Sequence, residues 1–200
     1  MFIAFEGIDG CGKSTQVKKF IEYLFDIDKH NHIFLTREPY KDVSIRKILR
    51  EDSDPYSQSE KIAELYIKDR LVHINEVILP NLEKGNIVVT DRYKLSTLAY
   101  QTAQGIEMSD LISKHNGFPV PDFVFIIDVS PETASKRMKK EDNRIEQKFE
   151  SNLEFIKTIR ENYLASINEL DGENIFLING EQSPDKVHQD IVEIFTRGKV

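Results

Sequence analysis

The sequence predicts an α/β fold, a three-layer sandwich with a five-stranded parallel sheet and helices on both faces. Five short apolar runs alternate with longer stretches of helical periodicity, the pattern of strands joined by right-handed crossovers. The runs are near-continuously apolar, as expected when both faces of a sheet are covered. A glycine-rich turn follows the first run directly and leads into an amphipathic stretch.

The elements follow in order. Phe2 to Phe5 reads as a buried strand, and Lys13 to about Phe25 as the helix after the glycine-rich turn. Ile33 to Leu35 is the second strand. Ser57 to Leu79 has helical periodicity, with Ile62, Leu65, Tyr66, Asp69 and His73 at helical spacing; Pro80 is expected to break it and Gly85 to stop it. Ile87 to Val89 is the third strand, followed by short helices at Leu95 to Gln104 and Ser109 to His115. Phe123 to Ile127 is the fourth strand. Pro131 sits at a first helical position behind Ser130 as N-cap. Glu146 to Leu170 reads as a long helix, Ile175 to Ile178 as the fifth strand and Pro184 to Phe195 as a closing helix. No linker or internal repeat divides residues 1–200, so one domain is expected.

Composition narrows the function. The chain has 200 residues, 40% hydrophobic and 30% charged, a size suited to one sizeable core. A formal net charge of −7 leaves no global basic field for a nucleic-acid backbone. Phosphate groups must be met by local cations and backbone N–H groups. Cys11 is the only cysteine, which excludes an intramolecular disulfide and fits a reducing, cytoplasmic setting. No leader peptide is visible, and the longest apolar run, Phe123 to Ile127, is too short to span a bilayer. The histidines show no zinc-type spacing; His30 and His32 read as surface residues.

The strongest motif is Gly7-Ile8-Asp9-Gly10-Cys11-Gly12-Lys13-Ser14, which matches GxxxxGK[ST] in full between a strand and a helix. Glycines let backbone N–H groups turn inward around phosphates, a lysine reaches the β- and γ-phosphates, and the Ser14 hydroxyl can ligate Mg²⁺. The helix N-terminus adds its dipole to the anion site. This is a P-loop, and it makes ATP or another nucleoside triphosphate the expected ligand. No Asn-Lys-x-Asp guanine reader is present. Ligands of such sheets lie at the carboxyl ends of the strands. That places Arg37, Asp91, Arg92 and Asp128 among the candidates. Guanidinium groups at two neighbouring strand ends suit a second phosphate. Asp91 closes an apolar strand as a Walker-B acid would, beside a Mg²⁺ site. Tyr66 and Arg70 share a helix face at i and i+4, so a ring and a fork can address one base.

Further segments join these: Phe5-Glu6 before Gly7, the triplet Lys13-Ser14-Thr15, Thr36-Arg37-Glu38-Pro39, Asp69-Arg70, Asp91-Arg92-Tyr93, then Ser96, Ala99, Tyr100 and Gln101. Asp128-Val129, Pro131-Glu132, Arg137 and Asn143-Arg144-Ile145-Glu146 complete the order. This set resembles the thymidylate kinase family, and the likeness covers nearly the whole chain. The resemblance implies a P-loop nucleoside monophosphate kinase that moves the γ-phosphoryl group of ATP, with Mg²⁺, onto thymidine monophosphate. It implies that Gly7 to Thr15 hold the donor, with Lys13 catalytic, and that Arg37 and Arg92 grip the acceptor's phosphate. Tyr66 replaces the family's stacking Phe, and Arg70 bonds a thymine carbonyl. Asp9 meets the sugar 3′-hydroxyl, Tyr100 crowds the 2′ carbon, and Ser96 and Gln101 lie near the base. The family is usually a homodimer.

One subset of the family carries an arginine in the P-loop; here that position is Gly10. The other draws the cation from a lid, and residues 136–147 read as one: polar, basic and set between two helices. Arg144 is the expected closing cation, with Arg137 against the adenine or phosphates of ATP. After Pro39 the chain reads Tyr40-Lys41-Asp42-Val43, where the family often has a pair of glycines. Lys41 is either an added phosphate contact or exposed. Another acceptor, such as uridylate or deoxyuridylate, stays open, as does an ATP-binding switch without transfer chemistry. A membrane or nucleic-acid partner is not expected.

Overall fold

The structure, a computed structural model, describes residues 1–140, 148–149 and 152–198. Five parallel strands, β1 (Phe2–Glu6), β2 (Ile33–Arg37), β3 (Ile87–Asp91), β4 (Phe123–Asp128) and β5 (Ile175–Asn179), form one sheet. The order is β2-β3-β1-β4-β5, so all neighbours are parallel and β1 lies at the centre. The chain leaves β1 towards one edge and later crosses to the other. Such a reversal opens a crevice at the strand ends.

Side-chain alternation on β1 sorts the two faces. Phe5 packs against Phe20 of α1 (Lys13–Ile27), and Phe20 against Phe195 of α9 (Pro184–Arg197). Phe2 points the other way, its ring 5.0 Å from that of Tyr93. Glu6, on the same face as Phe2, is fully buried beside α5 (Lys94–Ala103) and α8 (Leu153–Glu169), which pack along each other. The remaining helices are α2 (Val43–Glu51), α3 (Ser59–His73), α4 (Leu79–Glu83), α6 (Met108–Lys114) and α7 (Pro131–Met138). Among the described residues no helix is long and apolar enough to cross a membrane.

The expected three-layer α/β architecture is present, with differences that have local causes. Helix α2 was not anticipated; it starts at Asp42, whose side chain accepts from the Ser44 amide, and it buries only Ile45. The helix expected over Ser57–Leu79 begins at Ser59 and is not broken at Pro80. A π-helical turn at Ile74–Ile78 precedes α4, and the Leu79 N–H reaches back to the Ile74 carbonyl. Proline has no N–H to place in the ladder, and it falls in the first turn of α4 where none is needed. The last long helix, expected over Glu146–Leu170, runs among the described residues from Leu153, capped by Asn152, to Glu169; Glu146 lies outside them. Lys148 and Phe149 lie in a turn before it. Complete burial holds for β1 and β3 but not for edge strand β2, where Phe34 and Leu35 are exposed. Of the segment 136–147 expected as a lid, residues 136–138 end α7 and 139–140 form a turn; 141–147 lie outside the described residues.

Glu6 ties the centre of the sheet to the start of α5. Its carboxylate accepts from the Tyr93 amide at 2.8 Å, the Ser96 amide at 3.2 Å, the Ser96 hydroxyl at 2.6 Å and the Tyr163 hydroxyl at 3.2 Å. Burial pushes its carboxyl above the usual range, partly offset by the Ser96 hydrogen bond and the Arg92 charge. Glu6→Ala leaves these donors unsatisfied in a closed space. The expected loss is about 3 kcal/mol, or a fall in Tm of roughly 6–12 °C for a domain of this size. Differential scanning calorimetry reads it; a fall under about 2 °C would show that the carboxylate does not hold this junction.

Candidate active site

The P-loop follows β1 at the centre of the sheet. Gly12, at φ 102°, is the N-cap of α1 and contributes no side-chain cap, so the first amides of the helix stay available to an anion. Gly10 is required twice over. Its φ is 78°, and a Cβ there would lie 2.5 Å from the Ala134 carbonyl oxygen and 2.8 Å from Met138 Cγ on α7. Lys13 reaches back over the loop, its Nζ donating to the carbonyls of Gly7 and Ile8 at 2.9 Å each. Ser14 and Thr15 open α1 with exposed side chains.

Arg92 reaches the P-loop from the other side. It follows β3 with φ 75°, a left-handed conformation that costs a non-glycine residue about 1–3 kcal/mol. The side chain it aims is held on many sides. Nη2 donates to Asp9 Oδ1 at 2.7 Å and to the Tyr100 hydroxyl at 3.2 Å. Nη1 donates to Ser96 Oγ at 3.0 Å and to the Gly7 carbonyl and Tyr163 hydroxyl at 3.3 Å each. The guanidinium carbon sits 5.2 Å from the centre of the Tyr100 ring. Asp9 also accepts from the Tyr100 hydroxyl at 2.9 Å. Burial alone would raise the Asp9 carboxyl, but the charges of Arg92 and Lys13 hold it well below the usual carboxylate range.

A cavity of about 730 Å³ opens above these strand ends. One end is lined by Gly10, Gly12, Lys13, Ser14, Thr15 and Arg137, the other by Arg37, Tyr66, Arg70, Tyr100 and Gln101, with Asp9, Asp91 and Arg92 between. Of the expected site residues that are described, Gly7, Ile8, Cys11 and Asp128 do not line it. The first two supply carbonyls to Lys13, and Cys11 is buried beneath the loop. Arg137 lies across the P-loop, donating to the Cys11 carbonyl at 3.1 Å and the Gly180 carbonyl at 2.9 Å. Arg144 lies outside the described residues. Asp128 pairs with Arg160 instead of lining the cavity.

The cations at the far end differ in freedom. Arg37 is exposed and has no hydrogen-bond or ion-pair partner among the described residues. Arg70 is 1% exposed and locked. Nε and Nη2 donate to Glu38 Oε2 at 2.7 and 2.5 Å, and Nη2 also reaches the Tyr93 carbonyl and the Thr97 hydroxyl. Glu38 therefore pairs with Arg70, not with Arg37. Burial pushes the Tyr66 hydroxyl up to about 12, so it stays protonated. Ser96 lines the cavity, yet its hydroxyl is committed to Glu6 and receives Arg92. Lys41 pairs with Glu76 on the surface at 2.6 Å and does not line the cavity.

The sequence reading passed over several contributors. Glu38 fixes Arg70, and Leu49, Arg50 and Phe149 line the cavity. Arg50 belongs to the unanticipated α2. Tyr163 meets Arg92 from far along the chain. No spacing rule could have joined them; only the Glu38 in Thr36-Arg37-Glu38-Pro39 carried a signal, as an acid next to the expected Arg37.

Comparison with known proteins agrees with this geometry. The thymidylate kinase family model matches residues 5–191. A probable thymidylate kinase of Pyrococcus abyssi is 35% identical over 96% of this chain and 94% of its own length. A thymidylate kinase of a Thermoanaerobacter species is 36% identical over 96% of both chains. The crystal structure of thymidylate kinase from Ehrlichia chaffeensis superposes with a TM-score of 0.76 at 29% identity, covering 98% of each chain. Fold, P-loop and strand-end arginines thus coincide with whole-length likeness, and the chain belongs to the thymidylate kinase family.

Proposed function

We propose that the chain transfers the γ-phosphoryl group of ATP to thymidine monophosphate, giving the diphosphate. The observation that carries this reading is one shared cavity with a P-loop at one end and Arg37, Tyr66 and Arg70 at the other, joined by the Asp9–Arg92 pair. Two anionic nucleotides fit such a cavity end to end, phosphates facing. No other acceptor is favoured by any of these observations.

In this reading the donor's phosphates lie in the P-loop amides, and Lys13 exchanges its loop carbonyls for phosphate oxygens. Holding both reactants in line is worth on the order of 7–11 kcal/mol over free encounter. Arg92, braced by Asp9 and Tyr100, presents a preorganised charge where the phosphoryl group moves. Arg37 meets the acceptor's phosphate with an uncommitted guanidinium, and Tyr66 stacks on the base while Arg70 donates to its edge. Arg137 bears on the donor, and Arg144 is the proposed closing cation. Asp9 and Tyr100 together face the sugar.

The residues near Ser14 fit a Mg²⁺ ion. Asp91 Oδ1 is buried with no hydrogen-bond partner among the described residues, and the Ser14 hydroxyl is exposed in the same cavity. Ser14 and Asp91 would hold the ion there, and it would supply positive charge against the phosphates being transferred. A homodimer belongs to the same proposal; exposed Leu71 and Leu79 on α3 and α4 supply apolar surface for it.

A coupled assay across nucleoside monophosphates tests the proposal. Thymidylate should give the highest kcat/KM; turnover with another monophosphate and none with thymidylate would reject the acceptor. Lys13→Ala should lower kcat by about 10²–10³, as loss of one preorganised charge does. Activity near the parent level would remove Lys13 from the chemistry. Because the Asp9 pKa is depressed, its contribution to stability is present above the unfolded value near 3.9 and is lost as pH falls through the folded one. Asp9 therefore stays ionised above pH 5. The ratio of parent to Asp9→Asn kcat/KM should be flat from pH 5 to 8, a comparison in which substrate ionisations cancel; a break in that ratio would mean that Asp9 titrates there.

A further inference from the structure

Gln104 caps the C-terminal end of α5, is buried, and does not line the cavity. Its Nε2 donates to the Pro55 carbonyl at 2.6 Å and the Ser57 carbonyl at 3.4 Å. Carbonyl oxygens only accept, so this amide has one permitted orientation. Its Oε1 then faces Gln101 and accepts from Gln101 Nε2 at 3.1 Å. That contact orients the second amide. Gln101 is fully buried and lines the cavity, and its Oε1 has no partner among the described residues. A buried acceptor without a partner needs a donor, which a ligand in this cavity can supply.

Arg70 lines the same cavity with the opposite polarity. His115 Nδ1 meets the Leu111 carbonyl at 2.6 Å, so that nitrogen carries the proton and Nε2 accepts from Arg70 Nη1 at 2.5 Å. Arg70 offers donors alone. The cavity thus pairs a fixed donor with a fixed acceptor. A pyrimidine with a 4-carbonyl and an N3–H complements both. Cytosine, with a 4-amino group and a bare N3, opposes both.

We propose that Gln104 is a positioning residue: by fixing the amide polarity of Gln101, it selects a 4-keto, N3–H pyrimidine nucleotide over a 4-amino one. This rests on the acceptor reading given under the proposed function. Gln104→Met keeps side-chain length and removes both donor and acceptor, freeing the Gln101 amide to turn. The expected result is a rise of at least about tenfold in kcat/KM for deoxycytidylate, with a fall for thymidylate and an unchanged KM for ATP. Damage to packing alone would lower both acceptors and could not raise one. A folded Gln104→Met variant whose thymidylate-to-deoxycytidylate ratio stays within about twofold of the parent overturns the proposal. Gln104→Ala takes its place, with the same expectation, if the Met variant shows no cooperative melting. An arm on the parent needs no variant: N3-methyl thymidylate, lacking the N3–H, should bind at least about tenfold more weakly than thymidylate, and equal binding would also overturn the proposal. A parent that does not turn over thymidylate at all would reject the acceptor reading instead.

Discussion

The Asp9–Arg92 ion pair joins the two halves of the site. Asp9 belongs to the loop after β1, and Arg92 to the turn after β3, the neighbouring strand. Neither charge is free to wander, since Tyr100 touches both and Ser96 and Tyr163 hold the far side of the guanidinium. Partly buried charges of this kind are costly unless paired and hydrogen-bonded. Here pairing also sets geometry: the loop after β1 and the turn after β3 are registered to each other through one contact. Glu6 repeats the theme one layer down, binding β1 to α5 through a carboxylate without solvent access.

The strain at Arg92 belongs to the same arrangement. A left-handed backbone suits glycine or asparagine, yet neither could supply the guanidinium. The surrounding hydrogen bonds outweigh the conformational cost, and the backbone N–H of Arg92 still finds the Phe5 carbonyl at 2.9 Å. Local propensity is overruled at the position where the proposed chemistry is concentrated, as expected of functional sites.

What could be read from the amino acids depended on distance along the chain. The P-loop was legible because all its parts are consecutive and each has a stated job. The strand ends were legible because apolar runs stop sharply at Arg37 and Asp91. Helix α2 was missed although Ile45, Ile48 and Leu49 recur at helical spacing, because the segment spans only nine residues and fully buries one of them. Pro80 misled because a proline normally ends a helix, and the π-helical turn before it has no signature in composition. The locking of Arg70 by Glu38 and His115, and the orientation of Gln101 by Gln104 and the Pro55 carbonyl, join residues that only the fold brings together.

The contact between Gly10 and α7 bears on how this scaffold can be altered. The helix backbone fills the space that any side chain at position 10 would need. Grafting a basic finger into the loop, the solution adopted by one branch of the family, would require α7 to back away, and α7 leads directly into the segment holding Arg144. Any charge placed at position 10 would therefore compete with α7 for one volume. A designer, or natural selection, would have to rebuild the helix first.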